Sequence, residues 1–595
     1  MSTHADRLSA LRAELRTRAL DGFVIPLTDE HMSEYVGDYA QRLAWLTGFQ
    51  GSAGTAVVLS DAAAIFVDGR YTIQVREQVS AEHWAYVGVP QSSVARWLSQ
   101  HAAPGARIGY DPWLHTSGWV AEAQAALAAH GGTLVPVPNN PVDTVWQDRP
   151  APSPALMAVQ DEAVAGQGSA AKRAQIAEWL ARHQADAVVL TALDSIAWLL
   201  NVRGGDVAHT PVALAYAIVD ADGTADLFVA PEKLTDAVRQ HLGNAIRLHP
   251  REAFAPALAR YAGKRVAADP ERAVAAILSA LEAGGATIIA ERDPVVLAKA
   301  LKNQVEIAGH RAASARDGAA LARFLRWVEA EAPKGGLTEL DCVAKLLEFR
   351  QATGVLRDTS FDTISATGAH GAIPHYRVDA ASNAPLLPGQ LYLVDSGGQY
   401  LDGTTDVTRV VPVTEPTAEH RDRFTRVLKG HIALATALFP PGTTGGQLDA
   451  FARRPLWEVG LDYAHGTGHG VGAYLSVHEG PQRIAMPSYP GGGPAEPLRA
   501  GMIISNEPGY YQAGDFGIRI ENLVLVEERQ TEGGAMLGFE TLTFAPIERR
   551  LIDTALLSDA ERGWVNAYHA RVLDILGPQM DADERGWLYA KCAPL

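Results

Sequence analysis

The sequence predicts an α/β protein with two related N-terminal domains and a larger C-terminal α/β unit, and three observations carry that prediction. One set of segments occurs twice: Asp21 followed by GFVIP, then AWLTGF from Ala44, GTAVV and FVDGRY from Phe66, is echoed by Asp186 followed by AVVLT, AWLLNV from Ala197, PVALAYAIVDADG and LFVAPE. Each copy runs from a helix into an apolar strand and on through β-rich segments, so two domains of one kind are the simplest account. A proline-rich stretch from Pro136 to Pro154 has no periodicity and reads as the linker between them. Finally, Pro294 opens a long helical pattern that continues past Leu321, and every strong motif lies beyond it. The expected boundaries are 1–155, 156–298 and 299–595.

Length agrees with this division, because 595 residues exceed what one core serves, at about 150 residues per domain. The first twenty residues space Leu8, Leu11 and Leu15 on one helical face, interrupted by Asp6, Arg12 and Glu14, which predicts a helix and not an export signal. No apolar run reaches the ~18 residues of a membrane span. Cys342 and Cys592 are far apart and outside any CxxC spacing, which suits a reducing compartment and excludes a cysteine zinc site. The expected location is cytoplasmic, with no membrane partner. A net charge of −17 argues against a surface built to neutralise phosphates, so nucleic acid is not an expected partner.

Two segments of the C-terminal unit place acids where burial is expected. Residues 391–413, LYLVDSGGQYLDGTTDVTRVVPV, read as a β-hairpin, and a turn centred between Tyr400 and Leu401 puts Asp395 directly opposite Asp406. In MIISNEPGYYQAGDFGIRIENLVLV a turn centred on Gly514 relates Glu507 to Glu521, with Arg519 on the strand face of Glu521. Carboxylates held this close repel unless a proton or a cation lies between them. Acids are seldom buried alone, and two such pairs among Ile, Val and Leu are hard to explain as strand-end charges.

Between the hairpins lies HGTGHGVG, residues 465–472. It matches neither GxGxxG nor a P-loop, and although His465 and His469 have zincin spacing, no Glu lies between them and four glycines disfavour a helix. Two readings remain: a tight turn with satisfied histidines, or a metal ligand with backbone drawn close to ion and substrate, with His469 the preferred ligand. Four carboxylates and one histidine suit two hard divalent cations such as Mn²⁺.

Taken together, GAIPHYR (371–377), VDSGGQYLDGTTDVTR (394–409), HGTGHGVGAYLSVHEGP (465–481) and EPGYYQAGDFGIRIEN (507–522) resemble the pita-bread metallopeptidases, specifically the three-domain aminopeptidase P family, the Xaa-Pro aminopeptidases. GFQGSAGTA (48–56) and DGRY (68–71) extend the likeness into the first domain. The resemblance implies a pita-bread catalytic domain and five metal ligands: Asp395 on one ion, Asp406 and Glu521 bridging both, and His469 with Glu507 completing the other. It implies Mn²⁺, with Zn²⁺ or Co²⁺ as alternatives, and a bridging hydroxide with Glu507 as general base. His375 and His478 are implied as donors to the substrate carbonyl and the tetrahedral intermediate, His465 as a wall of the proline pocket, and Arg519 as a clamp on Asp395. Peptides with proline second are the implied substrates, and a homodimer the implied assembly, with WLYAKCAPL from Trp587 contributing. Ser505 stands where relatives can carry threonine. The alternatives are a prolidase-like dipeptidase, a pita-bread protein that binds peptides without catalysis, and a metal-free creatinase-like hydrolase, the last two disfavoured because all five ligand positions are filled. The Pro/Gly-rich stretch from Arg483 reads as a mobile surface loop at the site's rim.

Overall fold

The computed structural model describes residues 3–489 and 492–595, so two residues of the Pro/Gly-rich stretch lie outside it. The chain up to Glu162 together with Gln167–Val296 forms one compact unit, and Ala163–Gly166 with Leu297–Leu595 a second.

Helix α1 (His4–Thr17) opens the first unit and buries Leu8, Leu11 and Leu15. Its sheet contains β1 (Gly22–Pro26), β2 (Thr55–Leu59), β3 (Ala63–Val67), β4 (Ala85–Gly88), β5 (Arg107–Tyr110) and β6 (Thr133–Pro136), in the order β4-β3-β2-β1-β5-β6. Strand β1 is apolar throughout because it is covered on both faces: Phe23 and Ile25 join the α1 leucines, while Val24 joins Leu98 and Ile108 on the other side.

The second sheet contains β7 (Ala187–Leu190), β8 (Ala215–Asp220), β9 (Ala225–Val229), β10 (Ile246–His249), β11 (Arg265–Ala268) and β12 (Thr287–Ala290). Its order, β10-β9-β8-β7-β11-β12, repeats the first. The senses repeat too: two antiparallel pairings and one parallel on one side of the founding strand, two parallel on the other. The repetition read in the sequence is therefore one of topology.

The stretch read as a linker is partly structured. Asn140 caps the short helix α2 (Pro141–Val145) by accepting the Val142 N–H at 3.0 Å, and Val142 is buried with the α1 leucines. Trp146 stacks on Trp45 with centroids 5.4 Å apart. Five residues are too few to show a helical period, but the Asn-Pro pair is a start signal.

In the second unit the expected long helix is two, α3 (Pro294–Ala300) and α4 (Gln304–Glu331). The break is chemical: Asn303 Oδ1 accepts the Val305 and Glu306 N–H groups, and the Glu306 carboxylate accepts the Asn303 N–H in return. Helix α5 (Glu339–Gln351) follows. A three-stranded sheet joins β13 (Ile364–Thr367), β14 (Leu391–Ser396) and β17 (Val407–Pro412), with the short β15 (Gly398–Tyr400) and β16 (Gly403–Thr404) at the tip of the β14–β17 hairpin. A five-stranded sheet has the order β19-β18-β20-β23-β24, from β18 (Gly468–Gly470), β19 (Glu479–Ile484), β20 (Ile503–Asn506), β23 (Asn522–Thr531) and β24 (Gly534–Thr541). The pair β21 (Gly509–Gln512) and β22 (Phe516–Arg519) lies between β20 and β23 in sequence.

The Pro/Gly-rich stretch is pinned at both ends, where Ile484, Ala485 and Leu498 are buried, while Pro487 and Ser488 between them are exposed.

Candidate metal centre

Alternation along β14 turns Tyr392 and Val394 toward Phe324 and Val328 of α4, leaving Asp395 on the opposite face. The register differs from the expectation. Asp395 pairs with Thr408, and the turn falls between Leu401 and Asp402, one residue later than counted from sequence. Asp406 is therefore not opposite Asp395. It lies two residues ahead of Thr408 on the same face, diagonal to Asp395, because a shift of two in pairing preserves the face.

The second hairpin has the register expected. Asn506 pairs with Asn522 and Gly509 with Arg519, so Glu507 and Glu521 face each other across the gap between the two pairings. Gly514 turns the tip with φ +79°.

His469 comes from β18, which is a strand and not a helix. A Cβ on Gly468 would lie 2.0 Å from the Ser505 carbonyl oxygen, so glycine is what lets β18 press against β20 and deliver the next side chain. Nδ1–H of the imidazole donates to the Gly470 carbonyl at 2.9 Å, which fixes the ring with Nε2 turned toward the acids. Nε2 lies 3.5 Å from Asp406 Oδ2 and 3.4 Å from Glu507 Oε1.

Asp406, His469 and Glu521 each offer a ligand atom within 4.8 Å of the others, and all three are buried. Asp395 is also buried, while Glu507, with its side chain 16% exposed, is the most open of the five. Asp395 Oδ1 and Asp406 Oδ1 are buried without a hydrogen-bond partner. Burial, followed by repulsion from the neighbouring carboxylates, pushes Asp406 and Glu521 well above the usual carboxylate range. Burial also raises Glu507, against the attraction of Arg519. Oxygen donors with one imidazole converge here, a set whose mutual repulsion a cation relieves and whose chemistry fits hard divalent metals.

Around the acids lies a ring of donors. Arg519 donates from Nη2 to Asp395 Oδ2 (2.5 Å), from Nε to Thr408 Oγ1 (3.1 Å) and from Nη1 to the Tyr511 hydroxyl (2.6 Å). Thr408 in turn donates to Glu521 Oε2 at 2.7 Å. His465 donates from Nδ1 to its neighbour's carbonyl, Gly466 O, and accepts from Tyr511 at 2.9 Å, with Glu507 Oε2 3.9 Å from Nδ1. Burial pushes the Tyr511 hydroxyl up to about 12, keeping it a neutral donor. Ser505 accepts the His469 N–H at 2.9 Å and donates to Glu507 Oε1 at 3.1 Å.

His478 meets the ring of His469 edge-on at 4.3 Å between centroids, and His375 faces His478 at 6.3 Å with 21° between planes. Behind His478, the fully buried Glu479 carboxylate is held by Lys299 Nζ at 2.9 Å and by Lys302 Nζ. Every residue singled out in the sequence is thus gathered into one region of the second unit. Sequence reading passed over Thr408 and Tyr511, although correct pairing puts Thr408 opposite Asp395 and Tyr511 diagonal to Arg519 on one face.

The chain matches the Metallopeptidase family M24 model over residues 308–528 and the C-terminal region of peptidase M24 over 535–595. The Creatinase/Prolidase N-terminal domain is matched twice, over 7–145 and 148–306. Aminopeptidase P2 of Arabidopsis thaliana is 42% identical, across 97% of this chain and 86% of the relative. A probable Xaa-Pro aminopeptidase P of Laccaria bicolor is 41% identical, across 99% and 93%. Among solved structures, the X-prolyl aminopeptidase of Caenorhabditis elegans, a cytosolic enzyme with a di-nuclear active site, superimposes with a TM-score of 0.95 at 36% identity over the whole of both chains. The chain belongs to the M24 metallopeptidases, in the aminopeptidase P family, with two creatinase-type N-terminal domains before its pita-bread catalytic domain.

Proposed function

We propose that the protein is a metal-dependent aminopeptidase that hydrolyses the first peptide bond of substrates with proline in second place. The observation that carries this reading is the His469 Nε2 turned toward Asp406 and Glu507 among buried carboxylates, with Asp395 Oδ1 and Asp406 Oδ1 lacking a hydrogen-bond partner. Full-length likeness to aminopeptidase P relatives supports the substrate class.

Asp395, Asp406, His469, Glu507 and Glu521 would hold two divalent cations, with Mn²⁺ the metal we favour. When bound, such ions supply Lewis acidity toward the scissile carbonyl and bring the ionisation of water near neutral pH. The chain's own groups do the rest. Glu507 receives the proton of the attacking water, with Oε1 held in place by Ser505. His375 and His478, whose rings face each other at 6.3 Å, donate to the carbonyl oxygen as it gains charge. Arg519 orients Asp395 through the hydrogen bond from Nη2 to Oδ2. The bond before proline lacks an N–H, so enzymes that grip that hydrogen handle it poorly and a dedicated site is needed. His465, buttressed by Tyr511, forms one wall of that site.

The same reading extends to a cytoplasmic homodimer, in line with the cytosolic worm enzyme. Two buried free cysteines agree with a reducing compartment, and among the described residues no helix is long and apolar enough to cross a membrane. Leu588 and Cys592 pack inward, so of the C-terminal segment it is Tyr589, 59% exposed, that offers apolar surface to a second copy.

The test is hydrolysis of Arg-Pro-Pro, Arg-Pro and Arg-Ala-Ala after chelation and again after Mn²⁺ is restored. Metal-dependent release of arginine from Arg-Pro-Pro with little from Arg-Ala-Ala is expected. Cleavage confined to Arg-Pro would replace the reading with a dipeptidase, and equal cleavage of Arg-Ala-Ala would remove the proline preference.

A further inference from the structure

His375 sits on a loop whose anchor lies outside the metal centre. Glu339, the first residue of α5, has a fully buried carboxylate that meets four donors. Its Oε1 accepts the Thr367 N–H at 2.8 Å and His370 Nδ1–H at 2.9 Å. Its Oε2 accepts the Tyr376 hydroxyl at 3.0 Å and the Ala384 N–H at 3.1 Å. The negative charge lies at a helix N-terminus, where the exposed N–H groups favour it.

Two successive turns connect the anchored points: the Ile373 N–H donates to the His370 carbonyl and the Tyr376 N–H to the Ile373 carbonyl, each at 3.1 Å. His370 and Tyr376 then stack, with centroids 4.4 Å apart. Both ends of this two-turn segment therefore hang on one carboxylate, and His375 precedes the second anchor by one residue. Its neighbour's hydroxyl is buried in the same network, so the backbone that aims the imidazole has little freedom.

We propose that Glu339 and Tyr376 are positioning residues for His375, fixing its ring at the observed separation from His478. This rests on the reading of His375 as a substrate-contacting histidine. Neither residue touches the acids of the metal centre; they act through the loop.

The experiment compares Tyr376→Phe, Glu339→Gln, His375→Ala and the double variant Tyr376→Phe/His375→Ala, as Mn²⁺-loaded full chains acting on Arg-Pro-Pro. His375→Ala is expected to lower kcat by about 100-fold, the scale of one lost transition-state donor. Tyr376→Phe is expected to lower kcat by about 10-fold with KM within twofold, since misplacement of an aimed group is felt in the transition state. In the double variant Tyr376→Phe should add nothing, because there is no longer an imidazole to misplace. Metal content should stay at the parent value throughout. A Tyr376→Phe loss that persists undiminished in the His375→Ala background, or no loss from Tyr376→Phe while His375→Ala is impaired, would overturn the proposal and leave the functional reading intact. A fully active His375→Ala would overturn the proposal together with the reading of His375 as a substrate-contacting histidine, while the aminopeptidase reading would stand. Glu339→Gln sets an amide against two donors and should reproduce Tyr376→Phe with a larger loss; if it does not fold, Tyr376→Phe, which removes a single hydroxyl, decides the matter.

Discussion

Arg519 does at residue scale what no lysine can do: one planar group reaches Asp395, Thr408 and Tyr511 at once. Arg519→Lys is expected to keep the fold and lose metal affinity by about 10–100-fold, the usual effect of losing a partner that orients a ligand. Competition against a chelator measures this, and an unchanged affinity would end the clamp role. The acids and Arg519 were legible in the sequence because charges within runs of Ile, Val and Leu stand out. Thr408 and Tyr511 were not, because a hydroxyl in a strand is ordinary until its cross-strand partner is known. The Gly470 carbonyl, which fixes the His469 ring, has no side chain to read.

Among the elements, period-two alternation told which face each acid occupies but not its exact partner, so Asp406 was assigned to the right face and the wrong rung. The second hairpin was counted correctly because Gly514 marks its centre. The break between α3 and α4 was spelled out by Asn303 and Glu306, a capping box hidden inside an otherwise continuous helical pattern. Asn303→Ala is expected to destabilise the second unit by ~1 kcal/mol. The check is a shifted urea midpoint with unchanged metal content; an unchanged midpoint would mean the cap is replaceable.

For the whole molecule, duplication was visible in the sequence because both copies repeat their strand motifs, and the short α2 was not. All five proposed ligands belong to the second of the two units. Chelation is therefore expected to lower the unfolding temperature of that unit and leave the first unchanged, read by calorimetry with and without metal; a shift of both together would show that they unfold as one. Acid acts on both. Burial lowers His31 and brings His115 to about 4 in the first unit, and in the second brings His310 and His431 to about 3 and His569 to about 4. In the unfolded chain these titrate near 6.5, so below that pH the unfolded state takes up protons the native state refuses. The stability contributed by each is full above 6.5 and is lost as pH falls toward the folded value, at ~1.4 kcal/mol per pH unit. Urea midpoints for both units should drop between pH 7 and pH 5, and equal midpoints would contradict neutral burial.

The open tip of the second hairpin has a consequence for change in chain length. Around Gly514 there is free space where a side chain would stand, and six residues lie between it and Glu507 on one side and Glu521 on the other. Residues added there in matched pairs extend the ribbon outward and leave the two glutamates facing each other. The fold thus contains a place where a peptide tag or a longer loop can be grafted beside the catalytic centre, while the ladder beneath it continues to set the distance between the acids.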